Sequence, residues 1–510
     1  MNDSPSAKVV LNSRDEWTNR HESVTQRIAG IYDVWNANTD DKVADYNATT
    51  VALRNLVRDA VNDRTRLRAL GGGWSLSRAA VTDGYLINTK PLRIRGTMTG
   101  PSVSPDYAGD RKTLRFVQCG NSITRLNRAL ANEKLSLKAS GSSNGQTIVG
   151  AMSTGTHGAG LDAGAVQDFV VGLHVIVGAN DHVWLERQSY PVVTQRFVDK
   201  LGARLIRDDT LFNAALVSFG SFGIIHGVLI ETEPRYLLEA HRIRMDFDQG
   251  LLQAMTGFDF SDPRFPHPGE RPYHFEVTFN LNDERMRAFV LIMYKRPYRS
   301  DYIPPDRDPD EAGLGDGALT VIGRILDLGI IPGELTKAFL NSSIEDEYEL
   351  YGPRFGMFGE IFSSEWVRGS ALATGMAVPQ EFIERALNAA FAAFREQAEV
   401  QAVLISVRFV RKSDGLLAFT RYDPSCVLEI DGIASDGSYE ILRRVWRNLE
   451  AEGIPYTVHW GKFNNLDAAH VRSMYGGAVD QWIQGREQLL DAPTRAVFTS
   501  PFLETLGLAT

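Results

Sequence analysis

Four glycine-rich stretches lie in the first 230 residues of this 510-residue chain. Glycine lets the backbone approach another group closely, and one such stretch alone is typical of a tight turn. Four of them in one half of the chain predict a large anionic ligand held by backbone N–H groups. The stretches are GGGWS (71–75), GSSNGQTIVG (141–150), GAMSTGTHGAG (150–160) and GSFGIIHG (220–227).

Several common phosphate and metal signatures are missing from the sequence. There is no G-x-x-x-x-G-K-[ST] loop, and no G-x-G-x-x-G follows a first strand with an acidic residue about 20 positions later. A P-loop is therefore excluded, and a Rossmann nicotinamide site is disfavoured. His157, in TGTHG, has no second ligand at metal spacing, so we interpret it as a structural or ligand-bonding histidine and predict no metal site. Neither H-E-x-x-H nor a nucleophile elbow occurs.

Composition limits the partners and the compartment. The net charge is −9 and no block of Lys and Arg stands out, so nucleic acid and anionic membranes are disfavoured. Two cysteines, Cys119 and Cys426, exclude a disulfide framework and fit a reducing compartment. The N-terminus has no apolar signal segment, and charged residues interrupt the most apolar long stretch, residues 317–340. We therefore expect a cytoplasmic protein without a membrane segment.

The pattern of elements predicts an α+β fold, and the length predicts two or three domains. Residues 1–45 are expected to be a polar lead-in with helical character. Strands and amphipathic helices then alternate to about residue 235, with a hairpin at 173–186. Beyond Pro234 the sequence predicts further strands and helices, with a charged Pro/Gly-rich loop at 296–317 and helical character at 317–345.

Four motifs in this order resemble the vanillyl-alcohol-oxidase flavoprotein superfamily: RALGGGWS, GSSNGQTIVGAMSTGTHGAG, GSFGIIHGV and, near the C-terminus, HWGK. The branch they are most similar to contains the aldonolactone and alditol oxidases. The resemblance implies a PCMH-type FAD-binding domain at 30–236. It further implies a substrate-binding cap with an antiparallel sheet at 237–470, and a C-terminal segment, 471–510, that returns to the first domain.

The GGGWS loop departs from the family pattern, which usually reads G-x-G-H-S. In relatives that histidine bonds covalently to the 8α-methyl of the flavin, whereas this chain has Trp74. An indole nitrogen has no available lone pair. We therefore expect non-covalent FAD with Trp74 packed against the dimethylbenzene edge, and a link through another residue stays open.

The resemblance also implies which residues contact FAD. The pyrophosphate would lie against the GGGWS loop, and Lys462 would lie beside the ring. A glycine at position 141 would leave oxygen a path to the flavin, which favours an oxidase. The expected contacts are Gly71, Gly72, Gly73, Trp74, Ser75, Gly141, Ser142, Thr147, Gly150, Thr154, Gly155, Thr156, His157, Ile224, Ile225 and Lys462.

The residues expected beside the flavin ring and the substrate come from two further segments. Lys462 matches the family lysine that stabilises reduced flavin, His459 is expected to orient its loop, and Ser142 matches a serine beside flavin and substrate. Arg408 matches the arginine of an E-x-R strand in alditol oxidases, but Ser406 stands at the glutamate position.

Two carboxylates stand where those relatives carry a histidine and a threonine. Strand alternation places Glu429 and Asp431 on one face, next to Arg408. We expect Glu429 to be the general base or a substrate anchor. The alternative is an ordinary salt bridge of Glu429 or Asp431 with an arginine such as Arg411.

The expected function is oxidation of a CH–OH group in a small polyol, sugar or sugar lactone. Hydride would pass to FAD and oxygen would become hydrogen peroxide. The alternatives are a flavin enzyme acting on a non-carbohydrate or amine-bearing substrate, and a flavin-binding protein that has lost catalysis. The sequence leaves the oligomeric state open.

Overall fold

Three large β-sheets position the site, in a computed structural model that describes residues 5–283, 285–305, 314, 337–365, 369–396 and 402–509. Half of the predicted charged loop, residues 306–313 and 315–317, lies outside the described residues, as do residues 317–336 of the predicted helical stretch at 317–345. Among the described helices, none is long and apolar enough to cross a lipid bilayer.

The first sheet has four strands in the order β1-β4-β6-β5. Strand β6 pairs in parallel with both β4 and β5. Helix α1 (Lys42–Asn62) connects β4 to β5. Asp41 caps α1 by accepting from the N–H groups of Val43 and Ala44 at 3.0 Å. The strands are β1 (Lys8–Asn12), β4 (Gly30–Trp35), β5 (Leu67–Leu70) and β6 (Tyr85–Asn88), with a small hairpin of β2 (Glu16–Thr18) and β3 (Thr25–Arg27) before β4.

The expected helical character of residues 1–45 is wrong for residues 5–41, which contain no helix. The segment KVVLN forms β1, which pairs antiparallel with β4 from Lys8 opposite Trp35 to Asn12 opposite Ile31. This pairing links residues 19 to 27 positions apart in the chain, which local propensity does not reveal. The GGGWS loop follows directly after β5.

The second sheet has six strands in the order β12-β11-β10-β13-β8-β7. The predicted hairpin is confirmed, since Leu173 pairs with Leu185 and Ile176 with His182. The strands are β7 (Arg95–Thr97), β8 (Leu114–Gln118), β10 (Val170–Ile176), β11 (His182–Glu186), β12 (Arg204–Arg207) and β13 (Ile224–Glu231), and β9 (Leu135–Ser136) pairs with β14 (Glu233–Pro234). The helices of this region are α2 (Ile123–Asn132), α3 (Ile148–Ser153), α4 (Gln195–Leu201) and α5 (Asp209–Leu216).

The third sheet is antiparallel throughout, as predicted, with the order β18-β15-β17-β16-β20-β21-β19-β22. Its strands are β15 (Tyr236–Met245), β16 (His274–Asn280), β17 (Ala288–Pro297), β18 (Tyr351–Gly356), β19 (Ala371–Pro379), β20 (Val403–Val410), β21 (Ser425–Ile433) and β22 (Thr457–Val458). Its helices are α6 (Gln249–Gly257), α7 (Lys337–Glu347), α8 (Phe358–Ile361), α9 (Ile383–Arg395) and α10 (Asp436–Ala451).

Every residue of β16, β20 and β21 is buried, although the side chains alternate in polarity. The apolar face packs toward the helices, with Phe279 edge-on to Phe391 of α9 at 5.3 Å between ring centroids. The opposite face carries the charged residues Glu276, Arg408 and Glu429. A sheet buried on both faces thus brings buried charges to one surface, where they must pair.

Three of the last four helices pack against the first half of the chain. Trp482 donates its indole N–H to the carbonyl of Val217 at 3.0 Å, and Arg486 donates to Ser221 at 3.0 Å. The helices are α11 (Ala468–Tyr475), α12 (Ala478–Leu489), α13 (Ala492–Phe498) and α14 (Pro501–Thr505). The division into domains at residues 236 and 470 stays a prediction.

Candidate functional site

One large cavity lies between the glycine-rich loops and the charged face of the third sheet. It is lined by all six residues predicted for catalysis: Ser142, Arg408, Glu429, Asp431, His459 and Lys462. It is also lined by most of the residues predicted to contact FAD: Gly71, Gly72, Gly73, Trp74, Ser75, Gly141, Ser142, Thr147, Gly150, Thr154, Thr156, His157, Ile225 and Lys462. Loops far apart in the sequence therefore converge on one space.

Two predicted contacts lie off the cavity wall. Ile224 and Ile225 are adjacent in β13, and their side chains point to opposite faces, so only Ile225 lines the cavity. Gly155 has a φ of +77° and faces the Phe419 ring, where an added Cβ would lie 3.2 Å from Cδ1. The backbone turn therefore requires glycine at position 155, and Gly155 does not line the cavity.

The residues of the GGGWS loop line the cavity. Within the described chain, no hydrogen bond uses the N–H groups of residues 71–75. Gly73 has a φ of +71°, a conformation that side chains disfavour and that turns successive N–H groups to one side. Unpaired N–H groups around a cavity fit the pyrophosphate of FAD, which supplies anionic oxygens as acceptors.

Trp74 forms part of the cavity wall and lies against glycine backbone. A Cβ added at Gly145 would overlap its ring, so the indole needs glycine there. The guanidinium of Arg20 lies 4.4 Å from the ring centroid. Trp74 therefore occupies a fitted position beside the predicted flavin site, and its contact with the dimethylbenzene edge stays a prediction.

His21 also lines the cavity, and the sequence interpretation missed it. Its side chain lies edge-on to Trp74 with ring centroids 5.5 Å apart, and its Nδ1 atom has no partner among the described residues. Burial, together with the charge of Arg20, lowers the pKa of His21 to about 4, so the ring is neutral. The residue falls in a segment without a motif, so the sequence carries no signal for it.

Glu429 lies at the centre of a buried ionic cluster. Its Oε2 atom is 2.8 Å from Nη1 of Arg408, and its Oε1 atom accepts from Nζ of Lys462 at 2.6 Å. Nε2 of His157 lies 3.3 Å from Oε1. The predicted proximity of Arg408 and Glu429 is confirmed. The alternative salt bridge with Arg411 is wrong for Glu429, since the described ion pairs of this carboxylate are those three.

His157, one of the expected FAD contacts, also bonds within the protein. Its Nδ1 atom lies 2.9 Å from the carbonyl of Gly158, while Nε2 faces Glu429. His157 therefore contacts the ionic cluster at the reacting end of the cavity.

A third carboxylate, Glu276, belongs to the same cluster and was not predicted as a site residue. Glu276 is opposite Arg408 in the β16–β20 register, and its Oε1 atom accepts from Nη2 of Arg408 at 3.2 Å. Nε2 of His274 lies 3.5 Å from Oε2 of Glu276. The alternation His274, Glu276, Thr278 within a strand was the available signal, but it does not tell which strand would lie next to β20.

Asp431 differs from Glu429 in its contacts. Its ion pair among the described residues is with Nζ of Lys462, at 3.5 Å, and its side chain is almost fully buried. Burial raises the pKa of Asp431 to about 6; Lys462 opposes the shift and Glu429 adds to it. For Glu429, burial acts in the same direction, but Arg408 and then Lys462 outweigh it and hold the pKa well below its ordinary value.

The two cations keep their charge in this setting. Burial acts to lower the pKa of Lys462, but Asp431 and Glu429 outweigh it and raise that pKa. The pKa of Arg408 is likewise raised, because Glu276 and Glu429 outweigh burial. The cluster thus presents two firmly held cations to the cavity.

The HWGK segment is bound to the residues that follow the GGGWS loop. The N–H of Leu76 donates to the carbonyl of Gly461 at 2.8 Å, and the hydroxyl of Ser77 donates to the carbonyl of Trp460 at 2.6 Å. Within the segment, Nδ1 of His459 accepts from the N–H of Gly461 at 2.9 Å. These bonds fix Lys462 relative to the glycine loop.

Comparison with known proteins agrees with this geometry. Residues 45–185 match a family model described as FAD binding domain. An L-gulono-1,4-lactone dehydrogenase of Mycobacterium tuberculosis is 25% identical over 437 residues, which cover 83% of this chain and 87% of the relative. A D-arabinono-1,4-lactone oxidase of Debaryomyces hansenii is 28% identical over 206 residues, or 39% of this chain and 33% of the relative.

The chain therefore carries an FAD-binding domain, matched over residues 45–185. Its relatives are oxidases and dehydrogenases, and it is an FAD-dependent oxidoreductase. The resemblance carried by the sequence motifs is confirmed.

The whole chain also has the flavoprotein oxidase fold. A solvent-stable cholesterol oxidase matches with a TM-score of 0.65 at 16% identity, covering 99% of both chains. A xylooligosaccharide oxidase from Myceliophthora thermophila C1 matches with a TM-score of 0.62 at 12% identity, covering 98% of this chain and 97% of the other. The FAD-binding domain and the antiparallel sheet therefore form one known architecture.

Proposed function

We propose that this flavoprotein oxidises a CH–OH group of a small polyol, sugar or sugar lactone, with oxygen as the electron acceptor. The observation that carries the proposal is the ionic cluster of Arg408, Glu429, Asp431 and Lys462 on the cavity wall opposite the GGGWS loop. It combines a proton acceptor with two cations. The names of the lactone-oxidising relatives support the same substrate class.

The residues would divide the work as follows. FAD, when bound, supplies a two-electron acceptor for a hydride from the substrate carbon. The N–H groups of residues 71–75 would hold the pyrophosphate, and Lys462 would stabilise the negative charge that develops beside the ring. Arg408 would orient the substrate oxygen.

We assign the hydroxyl proton to Asp431 and an anchoring role to Glu429. Glu429 bonds two cations with both oxygens, and its low pKa makes it a weak proton acceptor. Asp431 has one distant ion-pair partner and a pKa of about 6, which is near the pH at which general bases work best. Glu429 would instead hold Arg408 and Lys462 in place.

Gly141 supports oxygen as the acceptor. A Cβ added there would lie 3.0 Å from Cγ2 of Thr156, so this part of the wall has no side chain and little room for one. In the aldonolactone oxidases that the motifs resemble, a small residue at this position admits oxygen to the flavin. One relative is named as a dehydrogenase, so the electron acceptor is tested by experiment.

The test is an anaerobic titration of the purified holoprotein with alditols, aldonolactones and simple sugars, followed by visible absorption. Bleaching of the flavin band by one compound, and its return with hydrogen peroxide when air is admitted, is the expected result. A band that air does not restore would replace the oxidase by a dehydrogenase. No bleaching by any of these compounds would contradict the proposed substrate class.

A second candidate is an amine-bearing substrate, because the cluster has an excess of negative charge. Glu276, Glu429 and Asp431 face two cations, Arg408 and Lys462. A protonated amine would balance the third carboxylate. Amino sugars in the same titration distinguish the two candidates, since this candidate expects them to bleach the flavin faster than their neutral counterparts.

A further inference from the structure

A separate cluster of two histidines and a carboxylate lies away from the flavin cavity. Glu239 and His241 are two residues apart in β15, on the same face of the strand. His267 comes from the loop between α6 and β16. None of these three lines the cavity described above.

The ligand atoms of the three residues converge. Nε2 of His241 lies 2.8 Å from Oε1 of Glu239, and Nε2 of His267 lies 2.6 Å from the same oxygen. All three atoms lie within 4.8 Å of one another. Metal–ligand bonds of about 2.0 to 2.2 Å place neighbouring ligand atoms about 3 to 4 Å apart, so small side-chain rotations would open room for an ion.

The surrounding charges suit a divalent cation. Arg296 donates from Nε to Oε2 of Glu239 at 2.6 Å, and from Nη2 to Glu270 at 3.1 Å. Two carboxylates therefore face one guanidinium, and with neutral imidazoles the cluster keeps one negative charge. Arg296 binds the oxygen of Glu239 that the histidines leave free, so it orients that carboxylate as an outer partner.

The site is partly preorganised and accessible. The side chains of Glu239 and His241 are about one-tenth exposed and that of His267 is 37% exposed, so an ion can enter from the loop side. Pro266 and Pro268 flank His267 and restrict the backbone that carries it. Two imidazoles and one carboxylate form a donor set suited to zinc and its first-row neighbours, with an open position for water.

We propose that Glu239, His241 and His267 bind a divalent transition-metal ion that ties the 258–273 loop to β15. The ion is structural, because none of its three ligands lines the flavin cavity. It replaces the direct hydrogen bonds of the two imidazoles to Glu239 by coordination bonds.

The test is isothermal titration of the FAD-loaded protein with Zn²⁺, paired with metal analysis after dialysis. We expect one ion per chain, a melting temperature that rises with Zn²⁺, and affinity at least tenfold weaker in His267→Gln. His470→Gln is the matched control, since the side chain of His470 is as exposed as that of His267 and pairs with Asp467 at 2.7 Å outside the cluster.

His267→Gln is the informative variant because its side chain is partly exposed and the fold does not depend on its burial. His241→Gln adds a second test, read only if its flavin spectrum matches that of the parent. Equal Zn²⁺ affinity in the parent and His267→Gln, or no saturable binding in the parent, would overturn the proposal. Either result leaves the flavin site and the proposed function untouched.

Discussion

Replacing Glu429 with glutamine should lower the pKa of Asp431 and move the acid limb of flavin reduction to lower pH. The two carboxylates share Lys462, and the negative charge of Glu429 is one of the causes that raise the pKa of Asp431 to about 6. Because the proposed base must be ionised, the parent rate should rise with pH through about 6.

The size of the shift follows from the geometry of β21. Residues two apart in a strand are separated by about 7 Å. Two unit charges at that distance interact by ~2.4 kcal/mol at an effective dielectric constant of about 20, which corresponds to roughly 1.7 pH units. Arg408 and Lys462, released from Glu429, would act on Asp431 in the same direction.

The assay is anaerobic stopped-flow reduction of the bound flavin across the pH range, with the compound that bleaches it in the titration above. The pH dependence of the flavin spectrum without substrate gives an independent reading of the same ionisation. Glu133→Gln is the matched control, since it removes an exposed carboxylate that pairs with Arg115 far from the cavity.

The pH profile of Glu429→Gln decides between the two carboxylates. Loss of a buried, paired charge can cost about 3 kcal/mol of stability, so the variant is used only if it retains its flavin. An unchanged acid limb in a folded Glu429→Gln would refute the coupling to Asp431. Complete loss of turnover at every pH, with turnover kept in Asp431→Asn, would assign the base to Glu429 instead.

Four further outcomes are expected. Asp431→Asn should slow flavin reduction by about 10²- to 10⁴-fold and remove the acid limb, measured by the same stopped-flow assay. Acid precipitation should release FAD from the polypeptide, because Trp74 cannot form the histidyl link; flavin fluorescence that stays with the precipitate would contradict this. Gly141→Ala should slow reoxidation by oxygen without slowing reduction, and equal reoxidation rates would remove the argument for an oxygen path. Ser77→Ala should cost about 1 kcal/mol in chemical unfolding, since it removes the bond to Trp460, and a change below the error of the measurement would count against that bond.

Much of the chemistry could be predicted from the sequence because it depends on local features. The GGGWS and TGTHG stretches are read directly from residue types, and strand alternation alone placed Glu429 and Asp431 on one face. The predicted proximity of Arg408 and Glu429 needed only the assumption that consecutive strands pair, which holds for β20 and β21. The expectations of an antiparallel sheet and of FAD came from the family resemblance, and both are confirmed.

The rest depends on long-range pairing. Glu276 reaches Arg408 because β16, more than 100 residues earlier, lies beside β20. His21 enters the cavity because N-terminal strands, expected to be helical, bring their connecting turn to Trp74. Neither position has a motif, since its neighbours in space are remote in the chain.

The sequence by itself determined which charged residues share a strand face, because residue type and strand period are local properties. Only the tertiary structure decided their protonation. Glu429 and Asp431 are both buried carboxylates on one strand, but the cations that surround Glu429 lower its pKa while Asp431, with one distant partner, keeps a raised one. The pKa of a buried acid is set by distances to other charges, and those distances exist only in the folded chain.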